Sequence, residues 1–169
     1  MTSLLVLGGA RSGKSAYAQR RCEDQGRSRV YIATAQAKDE EMADRISRHR
    51  ADRGAGWTTI EEPIDLLQAI RQATRYADAI LVDCLTLWLS NLMLEDHPIA
   101  VAREELAEAV RQVTVPLVLI ANEVGMGIVP ENALARRFRD EAGWLNQRIA
   151  AVAREVVLVT AGLPLRLKG

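Results

Sequence analysis

Cysteine is scarce in this 169-residue chain, and the little there is forms no metal-binding pattern. The two cysteines, Cys22 and Cys84, stand far apart in the sequence. Metal-ligating cysteines come in closely spaced pairs, so these two do not indicate a metal site. We expect two reduced thiols packed in the interior of a cytoplasmic protein.

An excess of charge of either sign is also missing. The 22 lysine and arginine residues equal the 22 aspartate and glutamate residues in number, and the formal net charge is +0. A general nucleic-acid binder needs a basic surface that faces the phosphate backbone. This composition therefore disfavours a nucleic-acid partner.

Long apolar runs are absent as well. None approaches the roughly 20 residues that cross a bilayer, so we expect no membrane span. The start, MTSLLVLGGARSGKS, has neither the basic residues nor the long apolar segment of a secretory signal, which favours a cytoplasmic protein. With no repeat and no low-complexity linker, we expect one domain over residues 1–169.

What is present is an alternation of short apolar, often β-branched segments with longer helical patterns. This predicts an α/β fold with a mostly parallel sheet covered by helices on both faces. The segments AILVD and PLVLIA are apolar throughout, as in central strands. Strands are predicted at 3–7, 29–33, 57–60, 79–83, 116–121 and 156–160, with a short terminal strand at 165–167. Helices are predicted at 14–24, 39–50, 64–76, 85–94, 101–112 and 133–154.

The stretch GGARSGKS is a complete phosphate-binding motif. It fits G-x-x-x-x-G-K-[ST] at every fixed position and lies between a predicted strand and a predicted helix, unlike a glycine-rich turn that binds nothing. Backbone N–H groups of such a loop, and the positive end of the following helix, face phosphate oxygens. In such a loop Lys14 reaches the β- and γ-phosphates and Ser15 ligates Mg²⁺. The predicted nucleotide-binding residues are Gly8, Gly9, Ala10, Arg11, Ser12, Gly13, Lys14 and Ser15.

A phosphate-binding loop of this kind works with a second acidic group for the metal. Asp83 ends the apolar segment AILVD, which is the expected place for a carboxylate that holds Mg²⁺ directly or through water. It also precedes the helical segment LTLWLSNL and could cap that helix. The two roles are compatible, and the metal role is favoured.

Polar residues follow other predicted strands, where ligands of open α/β sheets bind. Thr34 and Gln36 follow one strand, and Glu61 and Glu62 follow another. The strand at 116–121 leads into NEVGMGIVPEN, a loop with two glycines and a proline that is a candidate lid or acceptor site. Each of these residues could equally be a cap or a loop residue. The guanine-reading N-K-x-D pattern is missing, so no base preference follows.

Histidine occurs twice, at His49 and His97. His97 lies in the polar segment LEDHPIA and is interpreted as a solvated loop residue. His49 has Arg48, Arg50 and Arg53 as neighbours, and these positive charges favour neutral imidazole. A neutral imidazole nitrogen is a nucleophile, and arginines hold phosphates. This combination suits a histidine that forms a covalent bond to phosphorus.

The segments GGARSGKS, YIATAQ, DEEMADRISRHR and NEVGMGIVPENALARRFRDEAGWLNQRIA together resemble one enzyme family. It is the bifunctional adenosylcobinamide kinase and adenosylcobinamide-phosphate guanylyltransferase of cobalamin synthesis. The resemblance continues to the final LVTAGLPLRLKG and so covers essentially the whole chain. It implies a RecA-like P-loop fold and a homotrimeric assembly.

The resemblance also implies two reactions. One phosphorylates adenosylcobinamide with ATP or GTP, and the other transfers GMP from GTP to adenosylcobinamide phosphate through a GMP–histidine intermediate. His49 is the matching nucleophile, with Arg48 where some relatives have a second histidine. The catalytic residues are then His49 and Lys14, and Ser15 and Asp83 bind Mg²⁺ directly or through water. Further residues implied on the nucleotide side are Thr34, Ala35, Gln36, Arg50, Ala51, Asp52, Arg53, Glu62 and Asp83.

Two other interpretations remain open from the residues themselves. An ordinary small-molecule P-loop kinase would share every feature except the histidine between arginines. A nucleotide-switched binding module of the RecA-like type would share the loop and the sheet, although the neutral composition disfavours a DNA-binding version.

Overall fold

The computed structural model of the protein describes residues 3–35, 54 and 56–169. In these ranges strands and helices alternate along the chain. The strands are β1 Ser3–Gly8, β2 Arg29–Ala33, β3 Trp57–Glu61, β4 Ala79–Asp83, β5 Leu117–Asn122, β6 Glu155–Thr160 and β7 Leu163–Lys168. The helices are α1 Lys14–Glu23, α2 Leu66–Ala73, α3 Leu85–Leu94, α4 Ile99–Gln112 and α5 Ala133–Val152.

The strands form one seven-stranded sheet in the order β3-β2-β4-β5-β1-β6-β7. All neighbours are parallel except β7, which runs antiparallel to β6. The predicted α/β class with a mostly parallel sheet is confirmed. Strands β2 and β4 were predicted with their observed ends, whereas the helix predicted at 39–50 lies outside the described residues.

Hydrophobic packing covers both faces of the sheet. Helices α2 to α5 pack on the face with the larger apolar cluster, where Trp88 and Leu106 are almost fully buried. Helix α1 packs on the other face with Ala18 and Cys22. The central strands β4 and β5 contribute to both clusters, which explains why their sequences are apolar throughout.

Both cysteines are buried and free, as the sequence predicted. Burial raises the pKa of the Cys22 thiol to about 12 and that of the Cys84 thiol to about 11. Thiolate is the reactive form of cysteine, so neither side chain is primed for chemistry at neutral pH.

A two-pronged ion pair joins α1 to the sheet. The Arg21 guanidinium donates to both carboxylate oxygens of Glu155, at 2.8 and 2.7 Å, and also to the Tyr17 hydroxyl at 2.8 Å. These hydrogen bonds hold the pKa of Glu155 below its usual range. The pair fixes the helix that begins at the phosphate-binding motif against β6.

Among the helices in the described ranges, none is both long enough and apolar enough to cross a membrane.

Candidate active site

The sheet brings the polar strand ends together at its carboxyl edge. Gly8, at the end of β1, pairs with Asn122 at the end of β5. Ala33, at the end of β2, pairs with Asp83 at the end of β4. Since β5 lies between β4 and β1, the phosphate-binding loop and Asp83 occupy the same edge, as predicted for ligand sites of such sheets.

The loop between β1 and α1 provides no side-chain cap for the start of α1. Gly13 precedes the helix with φ of 92°, and no side chain caps it within the described part of the chain. The residue before α1 is therefore a glycine, which has no side chain to accept from the first N–H groups of the helix. This arrangement suits an anionic phosphate, whose oxygens accept from such N–H groups.

Two glycines of the loop are required by the space around them. A Cβ atom at Gly8 would lie 2.5 Å from Ser12 Oγ and 2.6 Å from the Val159 carbonyl oxygen. At Gly13 the left-handed backbone disfavours a side chain, and a Cβ atom would lie 3.1 Å from Gly162 Cα. Gly162 N donates to the Ser12 carbonyl at 2.8 Å, so the β6–β7 turn supports the loop from outside.

The Lys14 ammonium lies over the loop, where it donates to the Gly9 carbonyl oxygen at 3.1 Å. Lys14 and Ser15 are the first two residues of α1. Their position at the helix start places a cation and a hydroxyl next to the open N–H groups. A triphosphate held here would therefore meet positive potential from both the side chain and the helix.

The Asp83 carboxylate is half-buried, and the Tyr31 hydroxyl donates to its Oδ2 at 2.9 Å. No described residue donates to the other carboxylate oxygen, Oδ1. Asp83 does not cap α3, because Cys84 is the residue before that helix and no side-chain cap is found there among the described residues. The capping alternative is therefore wrong.

Thr34 is hydrogen-bonded to the backbone of Asp83 and Cys84 at the end of β4. Its hydroxyl donates to the Cys84 carbonyl and accepts from Cys84 N, each at 2.8 Å. Its backbone N–H donates to the Asp83 carbonyl at 3.1 Å, and its own carbonyl accepts from Asn91 Nδ2 at 2.8 Å. Thr34 is fully buried, so these contacts fix the backbone after Asp83.

Glu62 shapes the turn that leads into α2. Its Oε1 accepts from Ile64 N at 3.0 Å and from Asp65 N at 2.8 Å. Ala35 follows Thr34 and is half-exposed at the same edge of the sheet. Contact of Thr34, Ala35 or Glu62 with a nucleotide stays a prediction.

The remaining sequence-predicted site residues lie outside the described part of the chain. These residues are Gln36, Arg48, His49, Arg50, Ala51, Asp52 and Arg53. Their proposed roles therefore rest on the sequence. His97 is described: it is half-exposed in the turn after α3, with its Nε2 3.6 Å from a carboxylate oxygen of Glu95.

The loop between β5 and α5, residues 123–132, starts beside the phosphate-binding loop. Glu123 N donates to the Gly8 carbonyl at 3.1 Å, and Asn132 caps α5 by accepting from Ala135 N. Between these fixed ends the loop exposes apolar side chains: Met126 is 82% exposed and Ile128 is 98% exposed. An apolar surface of this kind at a site edge indicates contact with another molecule.

Several residues that shape the site were not identified from the sequence. The Tyr31 hydroxyl donates to the Asp83 carboxylate, and Asn91 Nδ2 donates to the Thr34 carbonyl. The Thr86 hydroxyl accepts from Asn122 N at 2.7 Å. All three lie within helices or strands, two to eight residues from a strand end. A polar side chain inside an otherwise apolar element was the available signal.

The donor chemistry of the site fits Mg²⁺. The Ser15 hydroxyl and the Asp83 carboxylate are hard oxygen ligands, and Mg²⁺ in nucleotide sites takes few protein ligands beside phosphate oxygens and water. Among the described residues, no group of three or more His, Cys, Asp or Glu side chains is placed to hold a metal ion.

The strand order and the loop define a P-loop nucleoside-triphosphatase fold. A KaiC-like protein from Pyrococcus horikoshii superimposes with a TM-score of 0.54 at 13% identity, over 93% of this chain and 70% of that one. The P4 protein of bacteriophage phi6, solved in complex with ADP, gives 0.54 at 14% identity, over 97% of this chain and 54% of that one. At these identities the likeness concerns the fold.

Sequence comparison shows the family. Residues 4–167 match the family described as cobinamide kinase / cobinamide phosphate guanyltransferase. The bifunctional adenosylcobalamin biosynthesis protein CobP of Pseudomonas aeruginosa is 49% identical over 98% of this chain and 96% of its own length. The corresponding CobU proteins of Salmonella typhimurium and Escherichia coli are 43% and 39% identical, over 98% of this chain and 99% of their own lengths. The chain belongs to this family of bifunctional cobinamide kinases and guanylyltransferases.

Proposed function

We propose that this protein catalyses both reactions on the adenosylated substrate. It phosphorylates the aminopropanol hydroxyl of adenosylcobinamide with ATP or GTP. It then transfers GMP from GTP to adenosylcobinamide phosphate, which gives adenosylcobinamide-GDP and releases pyrophosphate. The observation that carries the proposal is the match to the family over residues 4–167, in a chain whose P-loop is complete and open at the start of α1.

The kinase step uses the P-loop edge of the sheet. The acceptor hydroxyl attacks the γ-phosphorus and loses its proton to water, and the bond from that phosphorus to the bridging oxygen of the nucleoside diphosphate breaks. Lys14 and the N–H groups at the start of α1 stabilise the negative charge on the transferring group. Mg²⁺, held by Ser15 and by Asp83 directly or through water, would neutralise charge on the β- and γ-phosphates.

The guanylyl step needs a separate nucleophile, because it attacks the α-phosphorus. We assign this role to His49, whose imidazole nitrogen would form a bond to that phosphorus as pyrophosphate leaves. The phosphate of the acceptor would then displace the imidazole and take the GMP group. Support comes from the sequence: the neighbouring arginines Arg48, Arg50 and Arg53 favour neutral imidazole and can hold the phosphates. Gln36, Ala51 and Asp52 are assigned to the nucleotide side on the same basis.

The loop 123–132 is proposed as the surface that meets the corrinoid acceptor. It begins at Glu123, which is hydrogen-bonded to Gly8, and so lies next to the P-loop. Its exposed Met126, Ile128 and Val129 offer apolar contact to a large macrocycle but no partner for phosphate. Acceptor and nucleotide would thus meet at one edge of the sheet.

We also propose that the chain forms homo-oligomers, with a trimer as the form that the family resemblance implies. The edge strand β7 supports self-association. Its Leu163, Leu165 and Leu167 alternate along one side of the strand and are 72%, 59% and 54% exposed. An exposed apolar edge strand is a surface that proteins normally cover.

The direct test of the reaction is an assay of the purified protein with adenosylcobinamide and each triphosphate. The proposal predicts a phosphate ester with ATP or GTP, and adenosylcobinamide-GDP with pyrophosphate only when GTP is present. A phosphate ester with no GDP adduct under any condition would support the simple kinase. Hydrolysis without either product would support a nucleotide-switched module.

A further inference from the structure

The carboxylate of Asp83 is held by a tyrosine of the neighbouring strand. In the β2–β4 pairing, Tyr31 lies opposite Leu81, and Asp83 follows two residues later on the same face of the sheet. From this diagonal position the Tyr31 hydroxyl donates to Asp83 Oδ2 at 2.9 Å. A tyrosine side chain is long enough for such a diagonal contact between strands.

The tyrosine ring is itself fixed. Tyr31 is 8% exposed and packs edge-to-face on Trp57, with ring centroids 6.4 Å apart and an interplanar angle of 78°. Trp57 in turn lies under the Arg29 guanidinium at 5.4 Å. The hydroxyl therefore points at Asp83 from a packed ring, at little further cost in side-chain entropy.

The backbone of Asp83 is fixed as well. Its carbonyl accepts from Thr34 N at 3.1 Å, and the Thr34 hydroxyl makes two hydrogen bonds to the next residue, Cys84. With the backbone and one carboxylate oxygen held, the side chain is confined to one orientation. Within the described ranges, no protein group donates a hydrogen bond to the second oxygen of the Asp83 carboxylate. That oxygen can therefore bind a metal ion or accept a hydrogen bond from a water bound to it.

We propose that Tyr31 is a positioning residue for the metal carboxylate. Its hydroxyl holds Oδ2 of Asp83, so that the other oxygen is oriented in advance toward Mg²⁺ or a water bound to it. Tyr31 acts through Asp83 and does not touch the nucleotide. This inference rests on the proposed metal role of Asp83, and the two can be tested separately.

The test is a Mg²⁺ titration of binding to a fluorescent, non-hydrolysable GTP analogue. It uses the wild type, Tyr31→Phe, Asp83→Asn and the double variant. Tyr31→Phe keeps the ring on Trp57 and removes only the hydroxyl. We expect its apparent Mg²⁺ affinity to fall about three- to tenfold, the effect of one lost hydrogen bond. Binding of the analogue without Mg²⁺ should not change, and Asp83→Asn should show a larger loss.

Tyr17→Phe is the matched control, because it removes a hydroxyl that contacts Arg21 and not Asp83. It should leave the Mg²⁺ titration unchanged. In the double variant, Tyr31→Phe should add nothing to Asp83→Asn, since the hydroxyl acts through that carboxylate.

The outcomes are distinct. If Asp83→Asn weakens Mg²⁺ binding and Tyr31→Phe does not, the positioning role is overturned and the metal role of Asp83 stands. If Asp83→Asn has no effect, both are overturned. Equal loss of analogue binding with and without Mg²⁺ in Tyr31→Phe, or additive losses in the double variant, would show a structural role only.

Discussion

Lys14 places a positive charge at the start of α1, beside N–H groups that no side chain caps among the described residues. In Lys14→Ala, the transferring phosphoryl group loses a charge that stabilises it in the transition state. We expect turnover in the kinase step to fall by about a hundredfold or more. Steady-state assays with adenosylcobinamide and ATP or GTP measure this change.

The control for Lys14→Ala is Arg20→Ala, which removes an exposed positive charge from the same helix, away from the loop. It should keep wild-type turnover, and both variants should melt within a few degrees of the wild type. Near-normal phosphorylation by Lys14→Ala would contradict the assignment of the loop.

Among single residues, the sequence supports a prediction where chemistry depends on fixed spacing. The loop residues and Asp83 could be proposed because a motif and an apolar strand end mark them. The contact of Tyr31 with Asp83 could not be predicted, because it depends on β2 lying beside β4. No local sequence pattern indicates which strands are neighbours in the sheet. The hydrogen bonds between the Thr34 hydroxyl and Cys84 could not be predicted either, because the two residues are far apart in the chain; contact of Thr34 with a nucleotide stays a prediction.

At the scale of elements, the loop 123–132 carries the prediction for the acceptor. Ile128→Ser removes an apolar side chain that is 98% exposed in the free protein. If the corrinoid buries it, KM for adenosylcobinamide should rise about tenfold, which corresponds to the loss of most of one buried aliphatic side chain. Binding of GTP, measured separately, should not change.

Val101→Ser is the matched control for this loop, because Val101 is an exposed apolar residue of α4. It should leave KM unchanged. An unaltered KM in Ile128→Ser, or a change in its assembly state instead, would show that the loop serves another contact.

At several elements the observed ends differ from the predicted ones. Helix α2 is shorter than the predicted 64–76, because Asp65 caps it by accepting from Gln68 N and the Thr74 hydroxyl bonds back to Ile70. Strand β7 is longer than the predicted 165–167. Pro164 weakens the strand pattern in the sequence, yet a proline is tolerated on an edge strand.

At the scale of the whole molecule, the rule that ligands bind at the carboxyl ends of parallel strands predicts the candidate site without knowledge of the strand order. The order itself could not be predicted. That β5 lies between β4 and β1 depends on packing across the whole sheet, and alternation of strands and helices along the chain does not encode it.

Self-association is a property of the whole molecule and has its own test. Leu165→Lys places a charge in the middle of the exposed leucines of β7. We expect analytical ultracentrifugation to show a trimer for the wild type and dissociation for the variant. Thr114→Lys adds the same charge at an exposed position before β5 and should remain assembled. A monomeric wild type would contradict the proposed assembly.

The central claim is that one chain transfers a phosphoryl group at the P-loop and a guanylyl group through His49. The most direct measurement compares wild type, His49→Ala and His97→Ala after incubation with GTP labelled at the α-phosphate. Protein is denatured without acid, and the label it retains is measured together with kinase activity on adenosylcobinamide.

Wild type and His97→Ala should retain GMP in an acid-labile, alkali-stable bond, as expected for nitrogen bonded to phosphorus. His49→Ala should retain none but keep measurable kinase activity. Retention of GMP by His49→Ala, or loss of both activities in a folded variant, would contradict the account.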